Sequence, residues 1–142
     1  MPKFNLQGRP HVRISLLDNQ GRLPKRSGLN WGQRPEYNRN PDEAYIRVPK
    51  RVEDSHFFPP VGISFIIHTD DGKELLCVRA QDNAKAIETP ADNSIMGRYF
   101  RNRLGLASGA LIEMKDLLKY GRTDVDFYRI NNATYYMDFS PP

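Results

Sequence analysis

Side chains able to read a nucleic acid are gathered into two stretches of this chain. The first, Gln20 to Asn40, holds five basic residues (Arg22, Lys25, Arg26, Arg34 and Arg39) against one acid, Glu36, for a net charge of +4. The whole 142-residue chain is also +4, so the remainder balances to zero. The same stretch carries Ser27, the single tryptophan Trp31, Tyr37, and the amides Asn30, Gln33 and Asn38. Lys and Arg hold phosphates, whereas Arg suits guanine edges and Asn or Gln suits adenine. The second stretch, Arg79 to Asn93, has a different character, with Arg79, Gln81, Asp82, Asn83, Lys85, Glu88, Thr89 and Asn93 as its polar readers. Carboxylates are unfavourable beside phosphates but accept from the amino group of cytosine. Asp82 and Glu88 therefore tilt the expected target toward a G·C-rich site, the alternative for each being a salt bridge that buttresses a nearby cation. Arg98 and Arg101, on a helix that follows, are expected as weaker phosphate contacts. Trp31 and Tyr37 either wedge against sugar or base, or pin the stretch to the body of the protein.

Catalytic chemistry finds less support. The histidines His11, His56 and His68 have no metal-ligand neighbour at helical spacing. There is no His-x-Lys, no Gly-rich phosphate loop and no Gly-x-Ser-x-Gly. One fragment fits a nuclease: Glu113-Met114-Lys115, a Glu-x-Lys that with an upstream acid (Asp92 or Asp42) can hold Mg²⁺ while the lysine steadies a nucleophile. The same tripeptide also suits a helix start, with Glu at the positive end of the dipole and Lys facing water. No metal and no cofactor is expected. Cys77 is the single cysteine and sits in the apolar run Leu75 to Val78, which excludes an internal disulfide and points to a buried small hydrophobe.

Short strands are what the rest of the chain offers to position these groups. His11 to Leu17 alternates, with Val12, Ile14 and Leu16 on one face. Asp18 to Gly21 is a turn, and the first polar stretch follows; nearly devoid of aliphatic residues, it is expected to lie outside the core. Ala44 to Val48 reads as a second strand, ended by Pro49, and Lys50 to Phe57 as a short helix closed by Pro59 and Pro60. Gly62 to His68 and Lys73 to Ala80 pair through Asp70-Asp71-Gly72. Asn93 or Ser94 caps a helix running to Leu104 and stopped by Gly105, with Ile95, Met96, Tyr99, Phe100 and Leu104 as its apolar stripe. Ala110 to Ile112 reads as a short strand, Glu113 to Tyr120 as a short helix, and Asp124 to Ile130 with Thr134 to Phe139 as a last hairpin. Seven or so strands with few helices indicate a mostly β fold with flanking α elements, an antiparallel barrel or sandwich. The strand aromatics Phe65, Phe127, Tyr135 and Phe139 alternate like core residues, which favours duplex over single-strand reading.

The totals agree. The length suits one domain spanning residues 1–142, and a pI near 9.3 with mild net charge implies a localised basic surface rather than bulk cationic binding. No apolar run approaches the ~20 residues of a membrane span, and Met1-Pro2-Lys3-Phe4 does not open a signal peptide.

Several long motifs carry a family resemblance. Ser27-Gly-Leu-Asn-Trp-Gly-Gln-Arg-Pro35, Phe57-Phe-Pro-Pro60, Thr69-Asp-Asp-Gly72, Arg79-Ala-Gln81, Lys85-Ala-Ile-Glu-Thr89, Arg101-Asn-Arg-Leu-Gly105 and Tyr120-Gly-Arg-Thr-Asp-Val125 resemble the C-terminal domain of NgoFVII-type restriction endonucleases, over about Arg13 to Ser140. The resemblance implies a B3-like seven-stranded pseudobarrel with two short helices, and two arms (an N-arm at about 20–40, a C-arm at about 79–93) that grip the major groove of double-stranded DNA. It also implies that cleavage belongs to a separate phospholipase D-like nuclease domain, absent here, in a dimeric parent of the bacterial cytoplasm. The expected function is sequence-specific DNA recognition without catalysis in this chain. Two alternatives stay open: a self-sufficient Mg²⁺-dependent endonuclease on Glu113 and Lys115, and a protein-interaction β-domain whose basic stretch grips an acidic partner.

Overall fold

Alternating burial along the strands builds a curled sheet around one core. The computed structural model describes residues 4–80 and 85–142. Its strands are β1 (His11–Ser15), β2 (Ile46–Arg47), β3 (Phe65–Thr69), β4 (Glu74–Arg79), β5 (Ala86–Glu88), β6 (Asp124–Asn131) and β7 (Thr134–Asp138). They form one seven-stranded sheet in the order β1-β6-β7-β3-β4-β5-β2. Every pairing is antiparallel except β3 with β7, which run parallel. Ile14, Phe65, Ile67, Leu75, Cys77, Val125, Phe127, Tyr135 and Met137 face inward and are almost wholly buried.

The sheet curls until its edge strands, β1 and β2, come near each other, giving a nearly closed, barrel-like body. The helix α1 (Lys50–Asp54) sits at that seam, where Arg51 donates across the gap to the Arg13 carbonyl of β1 (2.7 Å). Phe57 and Phe58 plug one end of the barrel, stacked edge-on to each other (5.0 Å between centroids) and against Tyr135, whose hydroxyl donates to the Phe57 carbonyl (2.7 Å). Two longer helices, α2 (Ser94–Leu104) and α3 (Met114–Tyr120), flank the sheet, the first ended by Gly105 in the left-handed conformation (φ 71°), where glycine lacks the Cβ that would clash.

Most elements match the sequence pattern. Three differ, each for a long-range reason. The strand expected at Ala110–Ile112 does not form, because the Ile112 backbone is taken up by the side chain of Asn30. A strand that the polar composition hid, β5, lies inside the second polar stretch and is held between β4 and β2. On α2 the expected stripe holds at Met96, Tyr99, Phe100 and Leu104, but Ile95 is exposed and Arg101, expected outside the stripe, is 1% exposed.

The β3–β4 hairpin end gathers Asp70, Asp71, Asp124 and Asp138 around two arginines. Arg103 pairs with Asp70 (2.8 Å) and Asp71 (3.3 Å), and Arg122 with Asp124 (3.0 Å), Asp138 (3.3 Å) and Asp126. Burial alone would raise the carboxyl of Asp70, but hydrogen bonds from Arg103 and from the Phe139 amide bring it below the ordinary carboxylate range. Asp126, also opposed by burial, is lowered by hydrogen bonds from Arg13 and His11.

Candidate nucleic-acid interface

The first polar stretch is not a free loop. It contributes Leu23 and Leu29 to the core, which corrects the expectation that it lies wholly outside. Two short 3-10 turns, Gly28–Asn30 and Pro35–Tyr37, give it internal structure. Asn30 is the bracket that fixes it. Its amide nitrogen donates to the carbonyls of Pro24 and Ile112 (2.8 Å each), and its oxygen accepts from the Ile112 amide (2.9 Å). Asn30 is 1% exposed, so the expectation that it reads a base edge is corrected: its hydrogen-bonding capacity is spent inside the protein.

The rest of the base of the stretch is clamped just as firmly. Trp31 packs edge-on against Tyr45 (5.5 Å), with the Arg39 guanidinium 4.3 Å from its ring centroid, so it pins the stretch to the body. Gln33 donates to the carbonyls of Pro41 (2.9 Å) and Gly109 (3.1 Å). Gly32 lies so close to the returning chain that a Cβ there would stand 2.1 Å from the Asn40 carbonyl. Beneath these, Asp42 and Arg101 form an ion pair at 3.1 Å, 2% and 1% exposed at their side chains. Asp42 also accepts from the Gly109 amide (2.7 Å) and the Ser108 hydroxyl. Arg101 further donates to Ala110, Gly97 and Pro41 carbonyls. The expected phosphate contact by Arg101 is thereby corrected: the guanidinium is sealed in the interior as the anchor of the stretch.

What remains outward is a compact polar tip. Arg22, Lys25, Arg26, Tyr37 and Asn38 are exposed; Tyr37 keeps 64% of its surface in solvent. Arg26 pairs with Glu36 and lends its carbonyl to Arg34 Nε (2.8 Å), so Arg34 is held in place with its charge unneutralised by a carboxylate among the described residues. Asn38 sits in the left-handed conformation (φ 54°), which Asn tolerates better than most residues and which closes the second 3-10 turn. Ser27 lies partly buried below this tip.

The second stretch divides differently. Arg79 is 7% exposed, donates to the Pro59 carbonyl (2.8 Å) and pairs with Glu53, so it braces the barrel end instead of facing outward. Thr89 is 2% exposed and donates to the Asp92 carbonyl (2.8 Å). Arg79 at the end of β4 and Thr89 just after β5 both turn inward. Asn93 is partly buried, with its Oδ1 shielded, and its carbonyl accepts from the Ala44 amide. Lys85 is exposed at the start of β5, and Glu88 at its end is half-buried, its carboxyl raised by desolvation. Arg98 is exposed on α2 and pairs with Asp92 (3.1 Å). Gln81, Asp82 and Asn83 lie outside the described residues.

Strand register sets where the two stretches leave the barrel. The first connects the end of β1 to the start of β2, at the β3–β4 hairpin end. The second leaves the end of β4, whose Arg79 pairs with Ile87, at the opposite end. Between them runs the seam of β1 and β2, with Arg47 and Arg51 exposed on it. Neither arginine belongs to a polar stretch. The signal for Arg47 was nevertheless present, as the outward position between buried Ile46 and Val48.

The nuclease-like fragment is placed otherwise. Glu113 caps α3 in a reciprocal arrangement with Asp116, and Lys115 is exposed 3.7 Å from Glu113. Asp42 is committed to Arg101, and Asp92, just before the Asn93 cap of α2, accepts from the Ser94 hydroxyl (2.6 Å) and amide (3.0 Å). Among the described residues no group of three or more His, Cys, Asp or Glu is placed to hold one metal ion. No helix among them is long and apolar enough to cross a membrane.

Comparison with curated proteins finds no match. Comparison with protein families finds one whose match, residues 5–131, takes in both polar stretches, the seam and all but the last strand. A nearly closed seven-stranded sheet with three flanking helices is consistent with a B3-like pseudobarrel. By that match over most of its length, the chain belongs to the NgoFVII C-terminal B3-like DNA-binding domain family, the DNA-binding domain of a restriction enzyme, with double-stranded DNA as its partner.

Proposed function

We propose that this chain is the target-recognition domain of a type II restriction endonuclease and reads a short G·C-rich site through the major groove. The observation that carries the reading is the first stretch: a projection whose base is locked by buried Asn30, Asp42 and Arg101 and whose tip presents Lys25, Arg26 and Asn38 outward, with Arg34 beside them. A reader held this way meets DNA with little ordering cost on binding. Lys25, Arg26, Arg34 and Asn38 are its base-edge candidates, with Arg22 toward phosphate. On the second stretch, Lys85 and Glu88 join Gln81, Asp82 and Asn83 as readers, the acids accepting from cytosine.

Residues 1–142 act as one domain, the first stretch as N-arm and the second as C-arm. Cleavage falls to a separate phospholipase D-like domain in a dimeric parent acting in the bacterial cytoplasm. Selection of bound duplexes from a random pool tests the reading. It should enrich one short G·C-rich motif; recovery of sequences indistinguishable from the starting pool would overturn sequence-specific recognition. Incubation of the chain with plasmid and Mg²⁺ should leave the plasmid intact, and cutting abolished by Lys115→Ala would establish the nuclease alternative instead.

A further inference from the structure

The seam between the two stretches carries cations of its own. Arg47 points outward from β2, and its Nη1 donates to Asn19 Oδ1 (3.0 Å) at the root of the first stretch. The next residue, Val48, donates its amide to the Lys85 carbonyl at the root of the second. Arg47 thus stands where both stretches are rooted. Arg51 spans the seam from α1 to the Arg13 carbonyl.

Neighbouring cations are neutralised, Arg13 by Asp126 (3.0 Å), Lys50 by Asp54 (2.9 Å) and Arg79 by Glu53. Arg47 and Arg51 have no such carboxylate among the described residues, and both are exposed. Asp18 feels the charge of Arg47 from beyond ion-pair distance, while its Oδ1 accepts from the amides of Gln20 (2.9 Å) and Arg22 (3.0 Å). Beside Arg47 a cleft of about 370 Å³ opens between β2 and the root of the first stretch, with Asn19, Gln20 and Ser27 on its walls. It is far too small for a duplex and large enough for a sugar or phosphate group.

We propose that Arg47 and Arg51 form a phosphate-binding floor between the two polar stretches, along which one strand of the DNA backbone lies. Each guanidinium spends one nitrogen on a protein acceptor, which orients it, and keeps further donors for phosphate oxygens. The floor carries no base information. It fixes register, so that the reading side chains meet base edges. This inference rests on the DNA-recognition reading.

The test measures affinity of the purified chain for a mixed-sequence duplex and for the selected site as salt is varied. Arg47→Ala and Arg51→Ala should each weaken binding to both duplexes by the same factor and reduce the slope of log affinity against log salt by about 0.9, the double variant by about twice that. Arg47→Lys should keep the slope. Thermal melting confirms that each variant is folded. Wild-type protein that shows no preference for duplex over an acidic polymer would sink the DNA reading itself. Wild-type binding with unchanged slopes in both alanine variants would overturn the floor alone. An equal slope loss in Lys73→Ala, an exposed charge in the β3–β4 hairpin at the middle of the strand order, would reduce the effect to bulk charge. Asn19→Ala reproducing the Arg47→Ala loss would make Arg47 a brace for the first stretch, which also overturns the floor.

Discussion

Asn30 and Asn38 show how one residue type takes opposite roles within one stretch. Asn38 is exposed at the tip, whereas Asn30 is sealed against Ile112 with its amide fully engaged. Replacing Asn30 by Ala leaves the Ile112 amide and two carbonyls without partners in a buried setting. The expected destabilisation is about 2–4 kcal/mol, since each orphaned buried group costs about 1–3 kcal/mol. It would be read as a lowered denaturant midpoint, with DNA affinity falling because the stretch loses its shape. Arg34→Ala should behave differently. Its stability should stay near wild type, while affinity for the selected site should drop by about 1–3 kcal/mol and affinity for random duplex much less, if Arg34 reads a guanine. A uniform loss on both duplexes would reassign it to phosphate. In the sequence the two asparagines look alike; the difference comes from a partner that folding brings from the far half of the chain.

Among the elements, α2 anchors the first stretch. Gly97 is needed there, because a Cβ on it would fall 1.6 Å from the Asp42 carbonyl oxygen. Gly97→Ala should force the helix and the stretch apart and lower the melting temperature more than a solvent-facing substitution such as Asn102→Ala does. Arg101→Ala strands the Asp42 carboxylate without its cation in the interior, which costs about 3–5 kcal/mol. Burial lowers the Arg101 guanidinium from its ordinary range, and the adjacent Asp42 offsets only part of that. The bounds of α2 and α3 were readable because caps are local: Gly105 ends one and the Glu113–Asp116 exchange opens the other. The inward turn of Arg101 was not readable, since by spacing it belongs with Arg98 on a polar face. Only the approach of Asp42, Pro41 and Ala110 makes an interior site for it. β5 was hidden for a related reason. Its three residues carry no pattern long enough to show, and its pairing partners β4 and β2 define it.

For the molecule as a whole, paired carboxylates set the response to acid. Asp70 and Asp126 are held below their ordinary range by arginine and other hydrogen-bond partners. A carboxylate with a depressed folded-state pKa contributes stability that is fully present above its unfolded value, about 3.9 for Asp. That contribution is lost as pH falls through the folded value. Melting temperature should therefore hold steady near neutrality and fall steeply below about pH 4. Asp70→Asn should melt lower at pH 7 and show a shallower acid limb. A parallel limb would mean that Asp70 is not among the groups that set it. Cys77, buried and with its thiol pushed up to about 12 by desolvation, should resist thiol reagents in the native protein and react on unfolding.

By itself the sequence determined the strand and hairpin pattern, the helix ends, the inward aromatics and the concentration of positive charge in one short stretch. These follow from interactions between residues close along the chain or from alternation on a single strand. Tertiary structure decided which polar side chains of that stretch stay available and which become its foundation. Composition counts Asn30, Trp31, Gln33 and Arg101 as readers, yet each is held by partners distant in sequence. The closing of the sheet also brings β1 beside α1 and β2, placing Arg47 and Arg51 together on the seam. A hydrogen bond consumes a donor wherever its acceptor comes from, and the acceptors here arrive only when the barrel closes.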